Sequence, residues 1–331
     1  MTAEMGEEMK KCCNFASRLT AKPTMINRVL IRLKVVQVIY AYYQNGGQNP
    51  AQAERELAQS LDSAYSLYKT LLFLPVALVR AARKSVAKQT RMHVEHISRK
   101  EVLIAENRFL AQLETNAELD TFVQSNDMSW LADSDFVKDL YAEILESDIT
   151  EEYLQEERFD YEADRDFCKK IYKRLIEDND ELDNLLEEQN IYWNGDRNLI
   201  DSFVLKTIRS FSENGGEYQP LQAEFKDEED RRFALDLLHA GLSVAPEREK
   251  FVAENCRRWD PSRLAFLDVI IIQAAIAEML DFPGIPLKVT INEYVEMAKY
   301  LSTPASGSFV NGMLDTIAKE LAAQGRLNKN E

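Results

Sequence analysis

Two histidines in a basic stretch have a spacing that is compatible with metal binding. His93 and His96 are one helical turn apart, so their imidazoles can share a zinc ion. No cluster of Cys, Asp or Glu near them completes the site, and Glu95 projects to another side of the helix. His239 lies in an apolar run and is expected to make only a local hydrogen bond. We therefore predict no metal site.

The usual motifs of catalytic and cofactor sites are also missing from the sequence. It contains no Walker loop, no GxGxxG fingerprint, no nucleophile elbow and no CxxC pair. Neighbouring carboxylates are frequent, but in a chain with 56 acidic residues their proximity carries little information. We therefore predict that the protein is not an enzyme and that it needs no cofactor.

Charge is distributed very unevenly along the 331 residues. The chain has 40 basic and 56 acidic side chains and a net charge of −16. Residues 26–100 nevertheless carry 12 basic and 4 acidic side chains, whereas residues 101–200 carry 9 and 28. A basic region of this kind can meet phosphate groups, and an acidic one can keep the chain soluble. The alternative is that both regions are simply solvated helix faces.

The hydrophobic pattern predicts an all-α fold. Glycine and proline number only 11 and 9, and apolar residues recur at helical spacing over long stretches. The longest apolar run, Leu264 to Leu280, is interrupted by charged and amide side chains and is too short to span a bilayer. Four cysteines without a framework spacing fit reduced thiols. We therefore predict a soluble, cytoplasmic protein.

The N-terminal part of the chain divides into an extension and several helices. Residues 1–24 show no period and are predicted to be a disordered extension, a cloning remnant or the product of an over-called start codon. A helix is predicted from Asn27 to Gln44, ended by Asn45-Gly46-Gly47. A second helix is predicted from Ala51 to Leu74, before a basic stretch from Arg80 to Lys100. Shorter acidic helices are expected over 101–160.

Two helices are predicted near the C-terminus. Thr290 and Glu293 have the spacing of a capping box, which predicts that the first of these helices begins at Thr290. A break around Pro304 precedes the second helix, which is predicted to begin near Ser308. Gly312 lies inside that helix, where glycine costs about 1 kcal/mol relative to alanine. This cost indicates either close approach of another backbone or ligand, or a tight helix crossing.

These C-terminal residues carry a family resemblance. The string IPLKVTINEYVEMAKY from Ile285 to Tyr300, followed by SFVNGMLD from Ser308 to Asp315, resembles the signature of the NusB family of transcription antitermination factors. The two segments upstream, Phe233 to Gly241 and Trp259 to Leu280, are similar to the preceding helices of that family. The predicted helix from Asn27 to Gln44 is similar to its first helix.

The resemblance implies an all-helical fold and a division of the chain into four parts. A NusB-like helical bundle at the C-terminus is joined with the first helix, and a helical insert region is added between them. The expected bounds are 1–24 for the extension, 25–44 for the first helix, 45–224 for the insert, basic and then acidic, and 225–331 for the C-terminal domain. The insert is far longer than the usual connection in the family.

The resemblance also implies binding of boxA-like single-stranded RNA from ribosomal RNA leaders, together with the ribosomal protein NusE. Cations hold the phosphates of such RNA, and polar or aromatic groups read its splayed bases. The cations of the first helix are sparser here than is typical of the family, and Val29, Leu30 and Ile31 interrupt them. Two consequences stay open: weaker RNA affinity, or a contribution from the basic stretch between Arg80 and Lys100. The expected RNA-binding residues are Arg28, Arg32, Lys34, Lys288, Asn292, Glu293, Phe309, Asn311 and Asp315.

Several alternatives to direct RNA contact stay open from the sequence. Phe309 is more often a core residue than a stacking platform at a helix start, and Asn292 and Asn311 have polar side chains that can bond to each other across two helices. At the level of the whole protein, the alternative function is a helical interaction scaffold that has lost RNA binding. A methyltransferase subunit, another context for NusB-like domains, does not fit a chain without a glycine-rich cofactor loop.

Overall fold

The computed structural model describes residues 24–193, 195–255, 265–327 and 329. It confirms the all-α prediction. Short π or 3-10 turns occur at Tyr172–Ile176, Ile191–Trp193 and Glu213–Tyr218, and two three-residue strands, β1 (Thr24–Ile26) and β2 (Ala223–Phe225), pair with each other. The helices are α1 (Arg28–Gln44), α2 (Pro50–Arg91), α3 (Arg99–Ala105), α4 (Arg108–Glu114), α5 (Ala117–Ser125), α6 (Ser129–Ala132), α7 (Asp135–Glu146), α8 (Asp148–Leu154), α9 (Tyr161–Ile171), α10 (Asp180–Gln189), α11 (Arg197–Ser210), α12 (Glu228–Ser243), α13 (Ala245–Asn255), α14 (Phe266–Asp281), α15 (Leu287–Leu301) and α16 (Pro304–Ala323).

The chain forms two compact units, which divide within α2. The first contains the described residues up to Asp62 and those from Glu224 onward, and the second runs from Ser63 to Ala223. The first helix, α1, ends at Gln44 as predicted but begins at Arg28, one residue after the predicted start. Asn27 is its cap, because the side chain of Asn27 accepts hydrogen bonds from the backbone N–H groups of Val29 and Leu30. The bounds expected for the insert and the C-terminal domain stay predictions.

Helix α14 lies at the centre of the first unit. It is buried almost all round, as expected for a helix whose residues are apolar on every face. Helices α1, α12, α15 and α16 pack against it. The short connection between α15 and α16 makes these two helices antiparallel neighbours.

The second unit has its own core. The side chains of Tyr68, Phe109 and Phe203 are almost completely buried there, as is the thiol of Cys168. Burial raises the pKa of the Cys168 thiol far above its ordinary value. A buried polar network is also present: Tyr172 donates a hydrogen bond to Asp201 at 2.5 Å, and the Arg197 guanidinium pairs with the same carboxylate. The unit therefore has both an apolar and an ionic interior.

Three predicted helix boundaries are wrong. The second helix does not end at Leu74 but continues through Pro75 to Arg91, because the residues on both sides of the proline are buried. Thr290 is not a helix cap, since α15 begins at Leu287 directly after Pro286. Helix α16 begins at Pro304 and not near Ser308, because the Thr303 side chain caps it by accepting a hydrogen bond from the Ser306 N–H. The predicted extension falls on residues 1–23, which lie outside the described residues, and on Thr24, which begins β1. Among the described helices, none combines the length and apolarity needed to cross a bilayer.

Candidate nucleic-acid interface

Arg32, one of the three cations expected to bind RNA from α1, is a core residue. Only 3% of it is exposed. Its guanidinium makes two hydrogen bonds to the Glu278 carboxylate of α14, from Nε to Oε2 at 2.6 Å and from Nη2 to Oε1 at 3.0 Å. Burial lowers the pKa of Arg32, but the charge and hydrogen bonds of Glu278 outweigh this effect and raise it. The Arg32 side chain is therefore engaged inside the first unit.

Arg28 occupies a more open position one turn earlier. Its side chain is 36% exposed and pairs with Asp230 at 2.8 Å and Glu229 at 2.6 Å, both at the start of α12. Burial lowers the pKa of the Arg28 guanidinium, while its hydrogen bonds to these two carboxylates raise it to a greater extent. The guanidinium also lies over the Phe233 ring, 5.0 Å from its centroid. Arg28 thus keeps a face in solvent.

Lys34, the third expected cation of α1, is 2% exposed. It is among the largest fully buried side chains of the described chain, and it has an interaction partner there. The three cations of α1 are therefore not a single accessible patch. Two are buried, and one is shared between solvent and the acidic start of α12.

Polar groups of α15 and the C-terminal residues surround the Glu278 carboxylate. The hydroxyl of Thr290 donates to Oε1 at 2.8 Å, and the hydroxyl of Tyr294 lies 3.4 Å from Oε2. Lys329 donates to the Thr290 hydroxyl at 2.9 Å. Burial lowers the pKa of Lys329 to about 8, although the Glu278 charge acts in the opposite direction. This cluster joins α1, α14 and α15.

The predicted residues of α15 and α16 are more accessible than those of α1. Lys288, Asn311 and Asp315 are exposed, and Asn292 and Glu293 are half-buried. Phe309 is also half-buried, so its exposure lies between that of a core residue and that of an aromatic ring available for base stacking. Within the described residues, Asn292 and Asn311 do not bond to each other. Helix α16 therefore presents Asn311 and Asp315 to solvent one turn apart.

Gly312 lies on this same exposed surface of α16. Among the described residues, no atom outside its own helix segment would lie within 4 Å of a Cβ added there, so a tight helix crossing within this part of the chain is not the reason for the glycine. Gly307, five residues earlier and on another face of the helix, differs, because an added Cβ would lie 2.5 Å from the Lys299 side chain of α15. Of the two explanations for Gly312, close approach of another molecule is the one compatible with this geometry.

The partners of the α1 cations were not predicted from the sequence. Glu278 is a charged residue within the apolar run of α14, and a charge in such a run signals a buried partner. That signal identifies Glu278 as paired without indicating which cation it meets. In the described part of the chain, no group of three or more His, Cys, Asp or Glu side chains is arranged to hold a metal ion.

Comparison with known proteins defines the class. A family model described as the NusB family matches residues 201–319, which contain α12, α13, α14, α15 and most of α16. The chain is 36% identical over 132 residues to the Salinibacter ruber protein named transcription antitermination protein NusB, covering 38% of this chain and 82% of that protein. The chain therefore belongs to the NusB family.

Two further relatives carry the same name. The Koribacter versatilis protein is 41% identical over 104 residues, which are 31% of this chain and 71% of that protein. The Chloroherpeton thalassium protein is 35% identical over 98 residues, which are 30% and 46% of the two chains. No solved structure matches the chain. The family match begins at residue 201, upstream of the expected domain start at 225.

Proposed function

We propose that the protein is a noncatalytic transcription antitermination factor that binds boxA-like single-stranded RNA of ribosomal RNA leaders together with the ribosomal protein NusE. Its membership of the NusB family supports this function, as do relatives named for transcription antitermination. We place its action in the bacterial cytoplasm, where transcription takes place.

The main support for the proposal is an exposed glycine inside α16 that no packing contact within the described residues explains. Gly312 is exposed, has free space around its Cβ position and lies beside exposed Asn311 and Asp315. A helix-interior glycine lowers helix stability by about 1 kcal/mol relative to alanine. Since no packing within the described chain accounts for this cost, we assign the surface of Asn311, Gly312 and Asp315 to contact with RNA or NusE.

Charge and burial refine the other proposed contacts. Lys288 has a solvent-exposed cationic group that can meet phosphates, and the Arg28 side chain, although paired with Glu229 and Asp230, is 36% exposed and can reach a phosphate as well. Glu293, Asn292 and Phe309 are half-buried, so we place them at the edge of the surface. We do not assign phosphate contacts to Arg32 or Lys34, because their side chains are buried.

The test uses Gly312→Ala in the full chain. We expect the variant to be more stable by about 0.5–1 kcal/mol, because alanine favours the helix. We also expect it to bind a labelled boxA-like RNA with NusE about tenfold more weakly, equivalent to about 1.4 kcal/mol, because its methyl group prevents close approach. Fluorescence anisotropy with boxA-like and scrambled RNA, and thermal unfolding, measure the two effects.

Gly284→Ala is the matched control. Gly284 is also exposed, with open space around it and an ordinary φ, but it lies outside the assigned surface. We expect this variant to bind like the wild type. Equal binding by Gly312→Ala and the wild type would refute the assigned surface, and a wild-type chain that does not distinguish boxA-like from scrambled RNA would refute the proposed function.

A further inference from the structure

The C-terminal part of α2 and the residues that follow it, up to Lys100 in α3, form a basic segment in an acidic unit. Residues 80–100 contain seven basic side chains and one acidic side chain, whereas the rest of the second unit contains 12 basic and 31 acidic ones. With so many carboxylates available, the cations of this segment have many potential intramolecular partners. Which cations the fold leaves without a partner is therefore informative.

Four of the seven cations are engaged within the unit. Arg80 and Arg83 both pair with Glu114, and Lys100 pairs with Glu151 at 2.5 Å. The guanidinium of Arg99 lies over the Phe159 ring, 5.4 Å from its centroid. These residues attach the segment to the helices that follow it.

The other three cations form an exposed row, which we call the α2 basic face: Lys84, Lys88 and Arg91. Within the described residues none of them makes an ion pair. Their spacing places them on one side of the helix over roughly 10 Å. The nearby Glu101 carboxylate accepts hydrogen bonds from Ser85 at 2.7 Å and Gln89 at 2.8 and 2.9 Å, and it makes no ion pair with these three cations in the described part of the chain. The α2 basic face is therefore left for an external anion.

The end of the helix beside this face has a defined conformation. His93 has a φ of 51°, in the left-handed region, and its N–H donates to the Thr90 carbonyl at 3.1 Å. The N–H of Val94 donates to the Gln89 carbonyl at 3.1 Å, which completes a Schellman motif. Met92 and Val94 are 66% and 42% exposed. A capped helix end thus presents apolar atoms next to the cations.

We propose that the α2 basic face is a second RNA-binding surface, which contacts the phosphates of single-stranded RNA without reading its sequence. This inference rests on the proposed function, because in that function RNA is the polyanion that the protein binds. A row of cations follows a phosphate backbone, and the side chains of Met92 and Val94 offer apolar area to a base. An anionic membrane is less suitable, since an interfacial helix needs a large apolar face.

The test compares the full wild-type chain with a Lys84→Gln, Lys88→Gln, Arg91→Gln triple variant. The probe is a labelled oligo-uridine RNA, and its affinity is measured at several salt concentrations. Each phosphate contact to single-stranded RNA contributes about 0.7 to the slope of log K against log salt, so we expect the slope to fall by about 2. The control is a Lys138→Gln, Lys173→Gln, Arg209→Gln variant, which changes three exposed cations of the same unit equally.

A smaller slope for the triple variant, with an unchanged slope for the control, supports the second surface. Equal slopes for the triple variant and the wild type overturn it. An equal decrease in slope for the triple variant and the control variant also overturns it, because the decrease would then depend on net charge alone. Absence of oligo-uridine binding by the wild type, or binding only to anionic vesicles, also overturns it. Preferential binding of boxA-like RNA is scored separately, so either proposal can fail while the other stands.

Discussion

Arg32 lies in the core because Glu278 supplies a charge that matches it in the same place. The pair has two short hydrogen bonds and almost no solvent exposure. Removal of one partner from such a pair costs much more than removal of both, since a buried charge is then left uncompensated. The pair consequently makes α1 and α14 dependent on each other.

We expect Glu278→Gln to lower the free energy of unfolding by about 3–5 kcal/mol, because it leaves the Arg32 charge buried without a counterion. The double variant Arg32→Met, Glu278→Gln should lose less than the single variant, because the remaining charge has been removed. Urea unfolding followed by circular dichroism measures both values.

A control on the same helix is Arg28→Gln. Its ion pairs are partly in solvent, so we expect a loss of less than about 1 kcal/mol. If Glu278→Gln were no more harmful than Arg28→Gln, the buried pair would not be a major contributor to the fold.

At this scale, the residues expected at the candidate site stay a prediction, and the sequence did not reveal which of them are exposed. Lys288, Asn311 and Asp315 are exposed, as RNA contact requires. Arg32 has the same chemistry as Arg28, and the two are one turn apart, yet one is buried and the other is not. The difference depends on Glu278, which is 246 residues from Arg32 along the chain. No local pattern around α1 contains that information.

At the scale of elements, the approach of α12 to α1 depends on a glycine. A Cβ added to Gly241 would lie 2.6 Å from Cδ1 of Ile39, a fully buried residue. The carbonyl of Gly241 also accepts a hydrogen bond from the Gln273 side chain of α14 at 2.6 Å. Three helices of the first unit therefore meet at this residue.

We expect Gly241→Ala to destabilise the protein by about 1–3 kcal/mol through overpacking. Ile39→Val removes the Cδ1 atom that the new methyl group would meet, so the double variant Gly241→Ala, Ile39→Val should recover part of the loss. Thermal unfolding of the two single variants and the double variant provides the coupling energy. Simple additivity of the two changes would contradict the close contact.

The helices that could be predicted from sequence are those with local start and stop signals. Helix α1 has Asn27 before it and Asn45-Gly46-Gly47 after it; its predicted end at Gln44 is confirmed, and its start differs by one residue because Asn27 is the cap. The capping-box pattern at Thr290 was misleading, because Pro286 precedes the true start and the Thr290 hydroxyl bonds to Glu278. The predicted end of helix α2 at Leu74 was too early, because burial of the residues around Pro75 outweighs the local preference of proline to end a helix.

At the scale of the whole molecule, the second unit is a continuous piece of chain. Residues 63–223 contain their own buried core, and Cys168 is their only cysteine. A unit with these properties meets the requirements of an independently folding domain.

We expect residues 63–223, expressed alone, to unfold cooperatively. Cys168 should resist alkylation by iodoacetamide until the unit unfolds, because burial both shields the thiol and raises its pKa. Circular dichroism and mass spectrometry of the alkylated protein measure the two transitions, and the full chain is the reference. Rapid alkylation without denaturant would show that this segment does not fold alone.

The long separation between Arg32 and Glu278 also has a consequence during synthesis. At about 5–20 residues per second, the ribosome needs roughly 10 to 50 s to proceed from one residue to the other. The intervening unit can form during that interval, whereas α1 cannot complete its core contacts. The guanidinium of Arg32, which is enclosed in the finished protein, is therefore a solvated cation on the nascent chain until Glu278 has been added.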